Sequence, residues 1–358
     1  MAVASYEMLD ASKDVTTTRT LLHESIPLTG TIISGTYGTF PDEGNIKNYT
    51  HGQFQSVYDY PYLSSSANHI FDLTIGYDEG SPLSASSATT ASTSQQSKKI
   101  NMYNQFSQVL LGYTGSNNVV RKFELDLTLD QTGSMSECVF INLSRLITKD
   151  QIKKGTFKIV IGTGSWATSH GLAANTVKTL SDASASDTGG TTNTIGGDYG
   201  VLYDSTGSVP RGVIFYQAGI AVLSTSSFGT SYSTTQFFSD SSGYKSIDRA
   251  FVSSSITGTC DSVRHRIQNI TFNNTTEINS TIYFCRVPHN KYNYSSNPTY
   301  LSASTIRVKS VNTDTPVAYI TTIGLYSSNS ELLAVAKLSE PLRKDPTNEL
   351  TLRVRLDY

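Results

Sequence analysis

Apolar and polar positions alternate most strictly at the end of the chain. Leu350, Leu352, Val354, Leu356 and Tyr358 are separated by Thr351, Arg353, Arg355 and Asp357, the period of two expected of a half-buried strand. Two β-prone runs precede it, Val317 to Tyr326 and Leu332 to Leu338, with Ser327, Ser328, Asn329 and Ser330 between them. A polar connector of this length joins antiparallel strands. The pattern predicts a hairpin plus a closing strand.

Upstream, strands are predicted from Thr20 to Pro27, Gly30 to Tyr37 and Ile70 to Tyr77, and from Lys122 to Leu129, where Phe123, Leu125, Leu127 and Leu129 share a face. Further strands are predicted at Val139 to Leu143, Phe157 to Ile161, Val263 to Phe272 and Ser280 to Val287, and Gly212 to Leu223 holds two apolar runs pivoting near Gln217 to Gly219. Ile100, Tyr103, Phe106, Ser107, Val109 and Leu110 fall near helical spacing between Ser97 as N-cap and Gly112 as stop, and a second short helix is predicted from Thr148 to Lys153. Ser81 to Ser97 is low in complexity and predicts a mobile loop, because nothing in it offsets its ordering entropy. From Gly162 to Gly200 apolar periodicity fades, which predicts a loop excursion or inserted lobe.

Short strands punctuated by polar turns predict a mainly β fold, all-β or β-biased α+β, with antiparallel sandwich-like lobes and one or two short helices. Punctuation divides the chain into a β-rich segment 1–161 with its helix near 98–111 and loop 81–97, a loop-rich insertion 162–210, a β-rich middle segment 211–285 and a C-terminal β lobe 286–358.

The run ITTIGLYSSNSELLAVAKLSEPLRKD, followed by the terminal alternation, resembles segments of virion structural proteins of contractile-tailed, T4-like cyanophages. It is also similar to the IGLYD-x-x-G-x-LIAV hairpin in attachment domains of phage tail-fibre proteins. The blocks YDYPYLSSSANHIFDLTIG, KKINMYNQFSQVLLG, FINLSRLITKDQIKKG and GVIFYQAGIAVLSTSSF resemble parts of such proteins too. The resemblance covers about half of the chain in patches and carries no catalytic signature. It implies a place in a particle more than a reaction.

Composition agrees with an assembly component. Ser and Thr make up about a quarter of the 358 residues, with 26 Gly, 21 Tyr and 14 Phe, and charged residues reach only 16 % against a usual value of about 25 %. A polar but weakly charged surface packs against copies or partners with little repulsion. Formal net charge is −2 and Lys and Arg form no stripe, so nucleic acid is not an expected partner. No apolar run approaches the length of a membrane helix, and MAVASYEMLDASKD lacks a basic start and apolar core. The expectation is a protein made in the host cytoplasm, located on the virion, with no membrane partner.

Candidate chemistry is sparse. Cys138, Cys260 and Cys285 match no zinc or redox spacing and predict structural thiols. Gly162-Thr163-Gly164-Ser165 follows a strand but lacks the Lys-Ser/Thr ending of a phosphate loop. Asp187-Thr188-Gly189 matches the aspartic-protease tripeptide, yet has no second copy. Ser262 with Asp261 and His265 lacks a nucleophile elbow. His23, His51, His69, His170 and His289 are scattered singly, at no metal-ligand spacing. Asp59, Asp72, Asp78 and Glu79 could supply a glycosidase pair, but the chain has a single Trp, Trp166.

Tyrosines offer a more specific expectation. Tyr58, Tyr60 and Tyr62 lie beside Pro61, and Tyr292, Tyr294 and Tyr300 lie among Pro288 and Pro298. Tyrosine contributes large area and a polar tip at interfaces, and proline blocks regular pairing and leaves extended chain free to dock. With Tyr319 and Tyr326 of the hairpin, these eight are the candidate interface residues. The sequence thus points to a non-enzymatic structural subunit of a tailed-phage virion, in the baseplate or at a tail-fibre attachment point. Its expected partners are other tail proteins and copies of itself, with host surface glycan a further one, and no cofactor or metal is expected. Alternatives are a head or neck protein, of decoration or collar type, or a receptor-binding tail protein that recognises surface saccharide.

Overall fold

The computed structural model describes residues 6–27, 43–86, 93–114, 119–163, 177–205, 209–228, 238–240, 243–245, 247–264, 266–295, 297–303, 305–307, 311 and 313–358. In chain order the elements are β1 (Val15–Pro27), β2 (Ile46–Asn48), β3 (Gln55–Tyr58), β4 (His69–Tyr77), α1 (Pro82–Ser86), α2 (Thr93–Leu110), β5 (Phe123–Glu124), β6 (Ser134–Met135) and β7 (Glu137–Leu143). Then come α3 (Arg145–Thr148), β8 (Gln151–Ile152), β9 (Lys158–Gly162), β10 (Val177–Ser181), β11 (Thr192–Thr194), β12 (Gly197–Asp204), β13 (Pro210–Phe215) and β14 (Ile220–Ser224). The remainder are β15 (Phe238–Asp240), β16 (Gly243–Lys245), α4 (Ile247–Ser253), α5 (Ile256–Arg264), β17 (Ile267–Val287), β18 (Leu301–Ser302), β19 (Thr305–Ile306), β20 (Ala318–Tyr326), β21 (Leu332–Lys344) and β22 (Leu350–Asp357). The protein is mainly β, as the short, turn-punctuated apolar runs predict, and its strand ladders pair antiparallel.

Contacts divide the chain into two units. Residues 1–21 and 277–358 form one, and 22–276 the other. The boundaries drawn from sequence at 161, 210 and 285 fall inside β9, at the start of β13 and inside β17.

The larger unit is built on one antiparallel sheet in the order β17-β9-β10-β12-β13-β14-β7-β4-β3-β2, with β8 on β17 and β11 on β12. Alternate residues of β7, β13 and β14 feed two clusters, and β4 feeds the first of them. Phe71, Leu73, Ile75, Val139, Ile141, Ile214, Ala221 and Leu223 join Val57, Ile159, Ile161, Ile267 and Ile270, strands from both ends of the order, together with Ile247, Phe251, Ile256 and Val263 of α4 and α5. The opposite residues Cys138, Phe140, Val213, Phe215 and Val222 meet Tyr103, Leu110, Phe123 and Met135. Shared membership of one cluster by both ends of the order gives the sandwich-like character.

Helix α2 lies against β4 because Gly76 leaves room for it. A Cβ there would stand 2.7 Å from the Lys99 carbonyl oxygen and 2.8 Å from the Tyr103 nitrogen. The helix presents Lys99, Met102, Tyr103, Ser107 and Leu110 inward, at the spacing of one helical face. It ends as predicted at Gly112, whose φ of 79° suits glycine, with the Gly112 N–H donating to Ser107 O at 2.9 Å. Val109, predicted to face the core, is exposed.

Several expectations are corrected. Helix α2 begins at Thr93 and α1 covers Pro82–Ser86, so much of the segment predicted to be a loop from Ser81 to Ser97 is helical. Of the predicted strand from Lys122 to Leu129 only Phe123–Glu124 pairs. Asp126 accepts from the Thr128 N–H at 2.9 Å, Asp130 from the Thr132 N–H at 2.9 Å, and Glu124 from the N–H groups of Asp130 and Gln131. These side-chain acceptors replace a ladder, while Leu125, Leu127 and Leu129 still pack on the second cluster. The helix predicted from Thr148 to Lys153 instead ends at Thr148, where Lys149 takes φ 57°. The stretch predicted to be an excursion contributes β10, β11 and β12 to the main sheet. Val263 and Arg264 close α5 rather than open a strand. The predicted strand from Gly30 to Tyr37 lies outside the described residues.

The smaller unit contains β20 and β21, paired only with each other among the described residues, and β22, which pairs with β17 from Ser280↔Asp357 to Val287↔Leu350. The predicted hairpin is present, and the closing strand joins β17 rather than the hairpin. Among the described residues this unit buries only four apolar side chains, Val287, Ile306, Ala318 and Val354. Polar contacts contribute instead. The buried Lys344 ammonium donates to Asn293 Oδ1 at 2.6 Å, Asp345 O at 2.7 Å and His289 O at 3.2 Å.

Candidate functional site

The eight candidate tyrosines fall in both units, so they do not form a single cluster. In the larger unit Tyr58 is half-buried, its ring 5.5 Å from His69 edge-on and 6.3 Å from Tyr62, and Tyr60 and Tyr62 are exposed. In the smaller unit Tyr292, Tyr294, Tyr319 and Tyr326 are exposed and Tyr300 is half-buried. Tyr300 donates from its hydroxyl to Val317 O at 2.5 Å and meets the Tyr319 ring at 6.5 Å, edge-on. Tyr326 lies 4.9 Å from Tyr6. Tyr300 and Tyr319 share an open groove of about 540 Å³ with Ser295, Asn297, Thr299, Thr321 and Pro341.

The strongest feature of this unit is the β20–β21 ribbon. Tyr319, Tyr326, Leu332, Leu333 and Val335 are 45 to 69 % exposed. The register pairs Leu325 with Ala334 and Ile323 with Ala336, breaks between Ile320 and Thr322, and resumes with Ile320 opposite Leu342; the side chains of these three pairs are all only partly buried and make an apolar stripe along the ribbon. A two-stranded hairpin alone is marginal in water. Exposed apolar area of this kind marks interaction surfaces.

The catalytic candidates separate when placed in the fold. The Ser262 hydroxyl donates to Gly258 O, one helical turn back at 3.4 Å, and is buried; His265 lies outside the described residues. Asp187-Thr188-Gly189 sits in a tight turn closed by Ser186 N–H donating to Gly189 O at 2.8 Å. Gly164, Ser165 and His170 also lie outside the described residues. Asp59 accepts from the Asn68 N–H at 2.6 Å, and Asp78 pairs with Lys122 at 2.5 Å. Among the described residues no three His, Cys, Asp or Glu side chains gather as a metal site.

Sequence reasoning missed two polar groupings, because strand pairing assembles them: the β3–β4 register sets Ser56 opposite Asp72, and Asp182 meets Gly155 and Tyr216 from other segments. Asp72 Oδ1 accepts from the Ser56 hydroxyl at 2.5 Å and lies 2.8 Å from His69 Nε2. Burial raises its carboxyl, but the bonds to His69 and Ser56 outweigh that and hold it below the ordinary value. The aspartate stands between serine and histidine, so the histidine cannot serve as base to the serine, as a triad requires.

The second grouping is Asp182, whose Oδ2 accepts from Gly155 N–H at 2.8 Å and from the Tyr216 hydroxyl at 3.0 Å. Burial raises its carboxyl above the ordinary value. A raised pKa stabilises the fold below the unfolded value, near 4, and that contribution is lost as pH rises through the folded value. Asp182→Asn removes the titration. Urea unfolding at pH 4 and pH 7 is expected to show the unsubstituted chain losing stability relative to the variant between these pH values.

Lys99, fully buried, donates to the carbonyls of Phe251 and Ser254 at the end of α4. Burial brings its ammonium down to about 8. All three cysteines are free, and burial raises each thiol; Cys138 and Cys260 are fully buried, the condition of unreactive core thiols, and Cys285 is half-buried. Among the described residues no helix is long and apolar enough to cross a membrane. No protein-family model, curated protein or solved structure matches the chain.

Proposed function

We propose that the chain is a non-enzymatic structural subunit of a tailed-phage virion, in the baseplate or at a tail-fibre attachment point, acting through protein–protein assembly. The observation that carries the assembly part is the contrast between the units. The larger has two extensive cores, whereas the smaller, spanning residues 1–21 and 277–358, buries four apolar side chains among its described residues and exposes the apolar side chains of its hairpin. A unit of about a hundred residues needs a larger apolar core than this to be stable alone, so partner surfaces are the natural complement. The particle part rests on the resemblance of the hairpin and neighbouring blocks to virion proteins.

Quantitative mass spectrometry of gradient-purified particles tests the reading. The chain is expected at a fixed low copy number per virion, matching tail components. Absence from purified particles, or copy numbers in the hundreds typical of head decoration, sinks it. A second reading, recognition of host surface saccharide, is favoured by the groove that Tyr300 and Tyr319 share with Ser, Thr and Asn side chains, since aromatic faces beside short polar groups suit sugar rings. It predicts binding to host lipopolysaccharide that weakens with Tyr319→Ala.

A further inference from the structure

The two edges of the β20–β21 ribbon differ in a way that bears on its partner. Strand β21 carries Lys337, Glu340, Pro341, Arg343 and Lys344, the charges and proline by which natural sheets protect an edge from pairing. Strand β20, AYITTIGLY, contains no charge and no proline over nine residues and is rich in β-branched and aromatic side chains. Among the described residues it pairs with β21 and no other strand. A long neutral edge with Thr321, Thr322 and Gly324 exposed is a template for another strand.

We infer that the partner of β20 is the same strand of a second copy, aligned antiparallel across a two-fold axis. Charge decides for a copy. Self-pairing of β20 opposes no like charges, which would otherwise destabilise directly facing positions, and it moves the protected β21 strands to the two outer edges of a four-stranded sheet. Those edges resist further addition, so the assembly closes at two chains rather than growing into a fibre. Pairing also extends the apolar stripe of Ile320, Ile323 and Leu325 across both copies, turning a marginal two-stranded ribbon into a sheet of stable size. Thr322 is the middle residue of β20 and lies nearest the axis.

The inference rests on reading the smaller unit as an assembly surface. Pairing is measured on the isolated protein and particle membership on virions, so either can fail alone. Sedimentation equilibrium of the full chain is expected to give twice 38.9 kDa. Thr322→Glu brings two carboxylates together at the axis but faces Lys337 within its own ribbon, so the fold is kept and the mass shifts toward that of one chain.

Residues facing each other across an antiparallel pair have Cα separations of about 4.5 to 5.5 Å, within disulfide reach. Cysteines placed singly at Thr321, Thr322 and Ile323 are therefore expected to give an oxidised dimer that peaks within this set, against the unsubstituted chain as background. A single-chain mass at every concentration, a three-chain mass, or a dimer indifferent to Thr322→Glu and uncrosslinked at all three positions overturns the inference.

Discussion

Phe140→Ala is expected to lower the stability of the larger unit by about 4 kcal/mol, the range for removing a fully buried phenylalanine whose cavity cannot collapse. Phe140 lies on the central strand β7 between Thr74 of β4 and Val222 of β14. Its ring stacks on Phe106 of α2 at 4.3 Å with 6° between planes and meets Phe123 edge-on at 5.6 Å and Tyr103 at 6.3 Å. Both α2 and β5 therefore lose contact with β7 at once, and the flanking strands hold the backbone so that nothing closes the gap. Urea unfolding followed by far-UV circular dichroism reads the loss. A change below about 1 kcal/mol, the scale of a surface substitution, would contradict the packing of α2 on this face.

Gly76→Val is the second large effect. The obstacle here is backbone, because the Lys99 carbonyl and Tyr103 nitrogen stand where the new Cβ would go. Flexible side chains yield to an added methyl, but a helix must move as a body. The helix carries Lys99 into its bonds with the end of α4 and Tyr103 into a bond from its hydroxyl to Met135 O at 2.9 Å, so its retreat breaks contacts on two sides. The expected loss is about 3 kcal/mol or more, and the same unfolding measurement checks it. Gly76→Ala is expected to cost less but to move stability in the same direction.

The parts of the fold that were legible share a physical cause. Strand β7 and the pair β13–β14 are buried on both faces and appear as continuous apolar runs; the β20–β21 hairpin and β22 are half-exposed and appear as alternation around a polar turn. Strands β10 to β12 were not legible, because Thr179, Thr192, Asn193, Gly197 and Gly200 carry little apolar signal. Their places are fixed by neighbours, and Gly200 is small because the Tyr216 hydroxyl occupies the space a Cβ would need. Conversely, Leu125, Leu127 and Leu129 alternate without forming a strand, because Asp126 and Asp130 satisfy nearby amides locally.

For the candidate site, residue type pointed to tyrosines and the structure places five of the eight in the smaller unit. What sequence could not supply was the small apolar core of that unit, which depends on how much surface the tertiary fold leaves uncovered. The Asp72 and Asp182 groupings were likewise invisible, since the first depends on the register that sets Ser56 opposite Asp72 and the second joins Asp182 to Gly155 and Tyr216, about thirty residues away on either side.

The most direct test of the account is gold labelling of intact, purified particles with antibodies raised against the whole folded protein. Label confined to the tail tip or the fibre attachment region is the result the account predicts. Label on the head or neck, or none on particles that still react after disruption of the tail, would contradict it.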